Sequence, residues 1–149
     1  TAEVDGTVYD CAYVELGDPG IPHAAVPMKS LKDYDTQALF QLGRKLRYYK
    51  DFPKGANVNF YEIVGPDHVY ERTYERGVED FTYACGTGTG SVVTVLTLLG
   101  KVSGHQVKVD MTGGQLVVDA EREGDRVKDL YLTGPTNIVC KGQITDETL

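Results

Sequence analysis

The sequence has little of several things that usually decide a protein's class early. Lysine and arginine number 15 against 22 aspartates and glutamates, giving a net charge of −7. There is no basic cluster and no interleaved aromatic stripe, so the chain lacks the phosphate-neutralising surface on which nucleic-acid affinity rests. A nucleic-acid partner is therefore not expected, and a small polar metabolite such as an amino acid is. No apolar run approaches bilayer-spanning length and the N-terminus has no charged-then-apolar leader, so no membrane partner is expected either. Cysteines are few: Cys11, Cys85 and Cys140. An odd number without metal-type spacing argues against a disulfide framework and a zinc site, and suits a reducing, cytoplasmic compartment. Low-complexity stretches, close tandem repeats and linkers are missing as well. The 149 residues are enough for one domain with a real core. The chain opens on Thr1 rather than Met, and we read it as a processed product or an excised piece.

What is present reads as two helices and about eight strands. Thr7 to Glu15, with Val8, Tyr9, Tyr13 and Val14, has strand composition. Gly17 to Pro22 reads as a turn, and His23 to Pro27 as a second strand. From Asp35, an expected N-cap, Leu39, Phe40, Leu42 and Leu46 share one helical face, and Lys45, Arg47 and Lys50 lie near the favourable C-terminal end. Asn57 to Val64 and His68 to Tyr74 form a hairpin around Gly65-Pro66-Asp67. Val92 to Leu99 is apolar nearly all round, which marks a buried helix over 90–100 that packing must enforce, because valine and threonine are weak helix formers. Four strand-like runs follow, 106–111, 115–120, 126–132 and 136–144, separated by glycine turns. The simplest assembly is an α+β domain in which a curled sheet wraps around helix 90–100.

The chemistry concentrates at Ala84-Cys85-Gly86-Thr87-Gly88-Thr89-Gly90. A cysteine before a glycine-rich turn that opens a helix sits where free backbone N–H groups and partial positive charge favour an anion. Its thiol is expected to ionise more easily than a free one, with a substrate carboxylate docking beside it. The bland alternative is an inert buried cysteine, but glycines that admit a ligand to the backbone weigh against it. No lysine follows the glycines as a phosphate loop requires, and they alternate rather than following the dinucleotide spacing, so nucleotide binding is not expected. Upstream, Glu75 and Arg76 could grip a substrate ammonium and carboxylate, or be a solvated charge pair. His23 and Asn57 carry weaker signals on their own.

The ordered segments Gly20-Ile-Pro-His23, Ala56-Asn-Val-Asn-Phe60, Tyr74-Glu-Arg-Gly-Val78, Ala84-Cys-Gly-Thr-Gly88 and Leu132-Thr-Gly-Pro135 resemble the C-terminal half of diaminopimelate epimerase, in the proline-racemase-like superfamily. The pair formed by Glu75-Arg-Gly77 and Ala84-Cys-Gly-Thr-Gly88 is highly specific; Leu132-Thr-Gly-Pro135 alone would be weak. The resemblance implies a diaminopimelate-epimerase-like domain, an antiparallel barrel-like sheet around a central apolar helix, in one half of a two-domain enzyme. It implies interconversion of LL- and meso-diaminopimelate in lysine biosynthesis, without cofactor or metal, by two cysteines on opposite faces of the substrate α-carbon. Carried over, Cys85 is one acid/base, with Glu75 and His23 as catalytic neighbours. Asn57, Glu75, Arg76, Gly86 and Thr87 contact substrate, the last two at the α-carboxylate.

No second cysteine-glycine turn exists here. Cys11 is followed by Ala-Tyr and Cys140 by Lys-Gly-Gln, and both read as strand cysteines. The expectation is a single domain over 1–149 whose partner cysteine lies in an absent N-terminal half, leaving this piece inactive by itself. A homodimer is a further partner the sequence leaves open. Ile21 replaces the Asn of the commoner family form, and Asp18-Pro19-Gly20 looks longer than usual, which puts the side-chain specificity in question. Competing readings are a racemase of another amino acid, a Cys85–His23 acyl-transfer enzyme, and a non-catalytic carboxylate-binding domain.

Overall fold

The computed structural model describes residues 1–17 and 20–146. Two short strands, β1 (Ala2–Val4) and β2 (Thr7–Tyr9), form a separate hairpin. The main sheet is built from β3 (Ala12–Leu16), β4 (Ile21–Pro27), β5 (Asn57–Gly65), β6 (His68–Glu75), β7 (Asp80–Phe81), β8 (Val107–Met111), β9 (Gly114–Glu123) and β10 (Arg126–Thr133). Helix α1 (Thr36–Arg47) lies between β4 and β5, and α2 (Gly86–Leu98) between β7 and β8. Strand order is β10-β9-β8-β6-β5-β4-β3, with β7 paired to the end of β6.

The strand pattern explains the two faces. On β4, β5 and β6, side chains alternate across the sheet. Ala25, Tyr61 and Val69 point into the core shared with Val92, Val93, Val95 and Leu96 of α2. Val26, Val58, Phe60 and Tyr74 point the other way, onto Leu39, Leu42 and Leu46 of α1. Covered on both faces, the interior of β4 and the first half of β5 are continuously buried, even though His23, Asn57 and Asn59 interrupt their apolar residues. Helix α1 begins where its sequence says: the Asp35 carboxylate accepts the Ala38 N–H at 2.7 Å, and Arg44, Lys45 and Arg47 occupy the last turn.

Helix α2 touches β3, β4 and β5 and also β9 and β10, strands at both margins of the sheet. Six strand spacings of about 4.8 Å would hold those margins ~29 Å apart in a flat sheet. A helix only about 10–12 Å across reaches both only because the sheet is strongly curled.

Five expectations need correction. The sheet is mixed rather than wholly antiparallel: β4 pairs parallel with β5, and β6 with β8. A parallel pair needs a crossover connection, and α1 and α2 supply the two. The strand expected over 7–15 is broken at Asp10-Cys11, and β4 starts at Ile21, inside the expected turn. Pro22 sits opposite Glu15 of β3, and because the pairing of β4 with β5 begins one residue later, at His23↔Asn57, its missing N–H leaves no gap in that ladder. No strand forms over 136–144; residues 134–146 are exposed and carry no regular structure, because this segment does not pair with the open edge of β10 and strand composition without a paired neighbour leaves the backbone groups to water. Finally, α2 starts at Gly86, so the glycines lie inside the helix. Three of them cost about 3 kcal/mol against alanine, whereas burying Val92, Val93, Val95 and Leu96 contributes roughly 6 kcal/mol or more. Packing wins.

Candidate active site

Cys85 is the N-cap of α2, in extended backbone (φ −136°, ψ 99°), with no side-chain cap of its own. The first amides of the helix have no partner within it by geometry. The Gly88 backbone N–H lies near enough to the Cys85 sulfur to favour its ionised form in part, and Sγ lies 3.8 Å from Thr87 Oγ1. Glycine at 88 is a steric requirement: a Cβ there would stand 2.1 Å from Asn59 Nδ2. Gly86 and Gly90 serve the same end against β10, where a Cβ would meet Leu132 and Leu130 at 2.9 Å each. The glycines bring the helix terminus against the sheet; they do not form a flexible turn.

The thiol does not behave as the helix-terminus argument expects. Burial pushes the Cys85 pKa up to about 11, assisted by the negative charge of Glu75 and Glu71, and the Gly88 N–H and Thr87 hydroxyl offset only part of this. Desolvation beats the helix dipole here, and the resting form is the neutral thiol.

His23 on β4 is fully buried and stands under the helix terminus. Its Nε2 lies 3.0 Å from Thr87 Oγ1 and its Nδ1 2.8 Å from Asn59 Oδ1. Burial holds its pKa below the usual value, with Arg76 adding in the same direction and Asn59 and Glu75 opposing, so it is a neutral imidazole. Asn59 on β5 passes the contact on, its Nδ2 donating to Glu71 Oε1 at 2.7 Å and to Thr73 Oγ1 at 2.8 Å. The Glu71 carboxyl, on β6 and fully enclosed, also accepts from Thr73 Oγ1 at 3.2 Å and from Thr89 Oγ1 at 2.9 Å. Burial outweighs those donors and raises its pKa to about 7. Thr89 Oγ1 also lies 3.0 Å from Cys85 O, closing the circuit; its single hydrogen goes to the Glu71 carboxylate when that group is ionised and to the Cys85 carbonyl when Glu71 is protonated.

Of the residues singled out from sequence, Cys85, Thr87 and His23 converge directly. Glu75 ends β6 near enough that its charge acts on both the thiol and the imidazole, and its carboxylate accepts the Thr82 hydroxyl. Asn57 and Arg76 are joined to each other, Arg76 N–H donating to Asn57 Oδ1 at 2.7 Å. The guanidinium donates to Lys54 O at 2.9 Å. Ile21 is exposed at the start of β4; Asp18 and Pro19, part of the lengthened stretch, lie outside the described residues. Sequence reading missed Asn59, Glu71, Thr73 and Thr89. The available signal was Glu71 itself, a carboxylate sharing the inward β6 face with Val69 and Thr73.

The family model for diaminopimelate epimerase matches residues 17–139. The chain belongs to the diaminopimelate epimerase family. It is 39% identical over 138 residues to the diaminopimelate epimerase of Chlorobaculum tepidum, covering 92% of this chain and 51% of that protein. It is 36% identical over 151 residues to that of Aquifex aeolicus, covering 100% and 51%. The chain thus spans about half the length of the curated relatives it matches. Among solved structures, a PhzF-family phenazine biosynthesis protein of Enterococcus faecalis superposes with a TM-score of 0.59 at 15% identity, covering 77% of this chain and 40% of that one. The Bacillus anthracis member gives 0.54 at 14% identity, over 83% and 37%. At such identities these structures speak for the fold alone. No helix among the described residues is long and apolar enough to cross a membrane.

Proposed function

We propose that this diaminopimelate epimerase family chain supplies one face of a cofactor-independent amino-acid epimerase, acting on diaminopimelate in lysine biosynthesis. The observation that carries the reading is Cys85 at the start of α2, its sulfur beside Thr87 and the buried neutral His23. The free amides of Gly86 and Thr87 would take the substrate α-carboxylate, with Arg76, Glu75 and Asn57 around the remaining polar groups. Charge developing at the α-carbon then falls beside the positive end of the helix, where it is best stabilised.

Epimerisation needs a base and an acid on opposite faces of that carbon. The chain would form a single domain, one of two halves, and a cysteine of the other half would face Cys85 across the substrate. With its resting thiol kept neutral by burial, Cys85 would be the proton donor, and the opposing thiolate the base. Each turnover exchanges these states, so the reverse direction starts from the opposite pair. Coverage of 51% of each relative's length supports an incomplete site, and the isolated chain would be inactive. An acyl-transfer role is less well supported, because Thr87 stands between the sulfur and the His23 imidazole.

In the complete enzyme, Cys85→Ala should lower epimerisation by about a hundredfold or more. Solvent deuterium should enter the substrate α-carbon with the wild type, and no thioester adduct should accumulate. Unchanged turnover in Cys85→Ala, or a trapped acyl-enzyme, would overturn the proposal.

A further inference from the structure

Behind the sulfur lies a closed set of hydrogen bonds that the proton-transfer chemistry does not itself demand. Asn59 is its pivot. The amide oxygen of asparagine can only accept and its nitrogen can only donate. Asn59 Nδ2 has two acceptors in front of it, Glu71 Oε1 and Thr73 Oγ1, and the Thr73 hydroxyl spends its own hydrogen on the same Glu71 oxygen. With the nitrogen held there, Oδ1 is what faces His23 Nδ1 at 2.8 Å. A lone pair facing that nitrogen requires the ring hydrogen to be on Nδ1. The imidazole is neutral, so Nε2 keeps its lone pair, and the Thr87 hydroxyl 3.0 Å away must donate to it. The Thr87 oxygen is left with its lone pairs toward Cys85 Sγ, ready to accept the thiol hydrogen.

We infer that Glu71 is a positioning residue that acts through Asn59 to fix the tautomer of His23, keeping the basic Nε2 turned toward Thr87 and the Cys85 thiol. The polarity of the circuit runs one way: Glu71 orders the amide, the amide orders the ring, and the ring orders the Thr87 hydroxyl. Either protonation state of Glu71 serves, because the contacts with Asn59 and Thr73 are both on Oε1. A proton on Oε2 would pass to Thr89, which then gives its own hydrogen to Cys85 O. Asn59, Glu71, Thr73 and Thr89 need not touch substrate.

The importance of this for turnover rests on the epimerase reading above, but the tautomer does not, and it can be read directly. Nitrogen NMR of histidine-labelled protein, with two-bond ring couplings recorded above the His23 titration, distinguishes the two neutral forms. The His23 signals are identified by their loss in His23→Gln. The wild type is expected in the Nδ1–H form. Glu71→Gln should keep it, because the side-chain oxygen must face Asn59 and Thr73 while the amide nitrogen donates to Thr89. Glu71→Leu frees Asn59 to turn over and should move the tautomer ratio toward Nε2–H by about tenfold or more, the size of one buried hydrogen bond. Asn59→Ala, with Glu71 intact, should do the same and serves if Glu71→Leu does not fold. An Nε2–H wild type, or a folded Glu71→Leu or Asn59→Ala protein that stays Nδ1–H, would overturn the inference. A tautomer that follows Glu71 in an enzyme whose wild type exchanges no α-proton would support this inference and count against the epimerase reading.

Discussion

At the residue scale, the site is a contest between burial and the polar groups gathered around it. Cys85 shows it from outside: a helix terminus favours the thiolate, yet enclosure and two nearby carboxyl groups leave the thiol protonated. Glu71 shows it from inside and gives a sharp test. Its folded pKa of about 7 stands above the ordinary value of 4.5. Below both values the folded and unfolded states hold the same proton, and the contribution to stability is full. As pH rises from about 4.5 to 7 the unfolded chain gives up the proton while the folded one retains it, so stability falls, by about 3 kcal/mol once the pH exceeds both values. His23, with its pKa lowered, pulls the opposite way below its ordinary value. Comparing the wild type with Glu71→Gln cancels that effect. Urea midpoints should fall for the wild type relative to the variant between pH 5 and 8; parallel midpoints would contradict the buried, proton-holding carboxyl. Cys85 stood out in sequence from its local setting before the glycines, whereas Thr87 and His23 were singled out through the family resemblance. Glu71 and Asn59 were not, because their role depends on which strands lie side by side.

At the element scale, what was legible is what is local. Helix α1 followed from an N-cap and a face, the β5–β6 hairpin from its Gly65-Pro66-Asp67 turn, and β8 to β10 from their glycine turns. The two parallel pairings were hidden, since β4 and β5 are separated by α1, and β6 and β8 by α2. The start of α2 was hidden for a related reason: the glycines signal a turn until Asn59 and β10 are seen pressing on them. The local part also carries a prediction in energy. Asp35→Ala should remove the cap to the Ala38 N–H and cost about 1 kcal/mol, measurable by chemical denaturation, while Asp33→Ala nearby makes no such contact and should cost little.

At the scale of the whole molecule, one flank stands apart. Among the described residues the outer edge of β10 has no strand beside it, Tyr131 is 64% exposed and Leu132 48%. Beyond it Ile138 and Val139 are 84% and 90% exposed. An apolar strand edge of this kind recruits another chain. The isolated 149-residue chain should therefore self-associate at high concentration, and Tyr131→Lys with Ile138→Lys should reduce this. Sedimentation velocity showing a monomer for the unmodified chain across a wide concentration range would refute it. The sequence indicated a strand over 136–144 from composition, and what it could not convey is that strand formation there depends on a neighbour.

The 2.1 Å between a notional Gly88 side chain and the Asn59 amide also bears on how this protein can change over generations. The two positions occupy one volume, so their substitutions are epistatic. Gly88→Ala should be strongly destabilising in the present background, by an overpacking cost of about 1–3 kcal/mol. On an Asn59→Gly background the same change should cost much less, a non-additivity that a double-mutant cycle would measure directly. The order of steps then matters: the strand must lose its asparagine, and with it the amide between His23 and Glu71, before the helix can gain a side chain. A lineage that keeps this circuit is held to glycine at 88 by sterics alone, whatever the chemistry at the neighbouring sulfur requires.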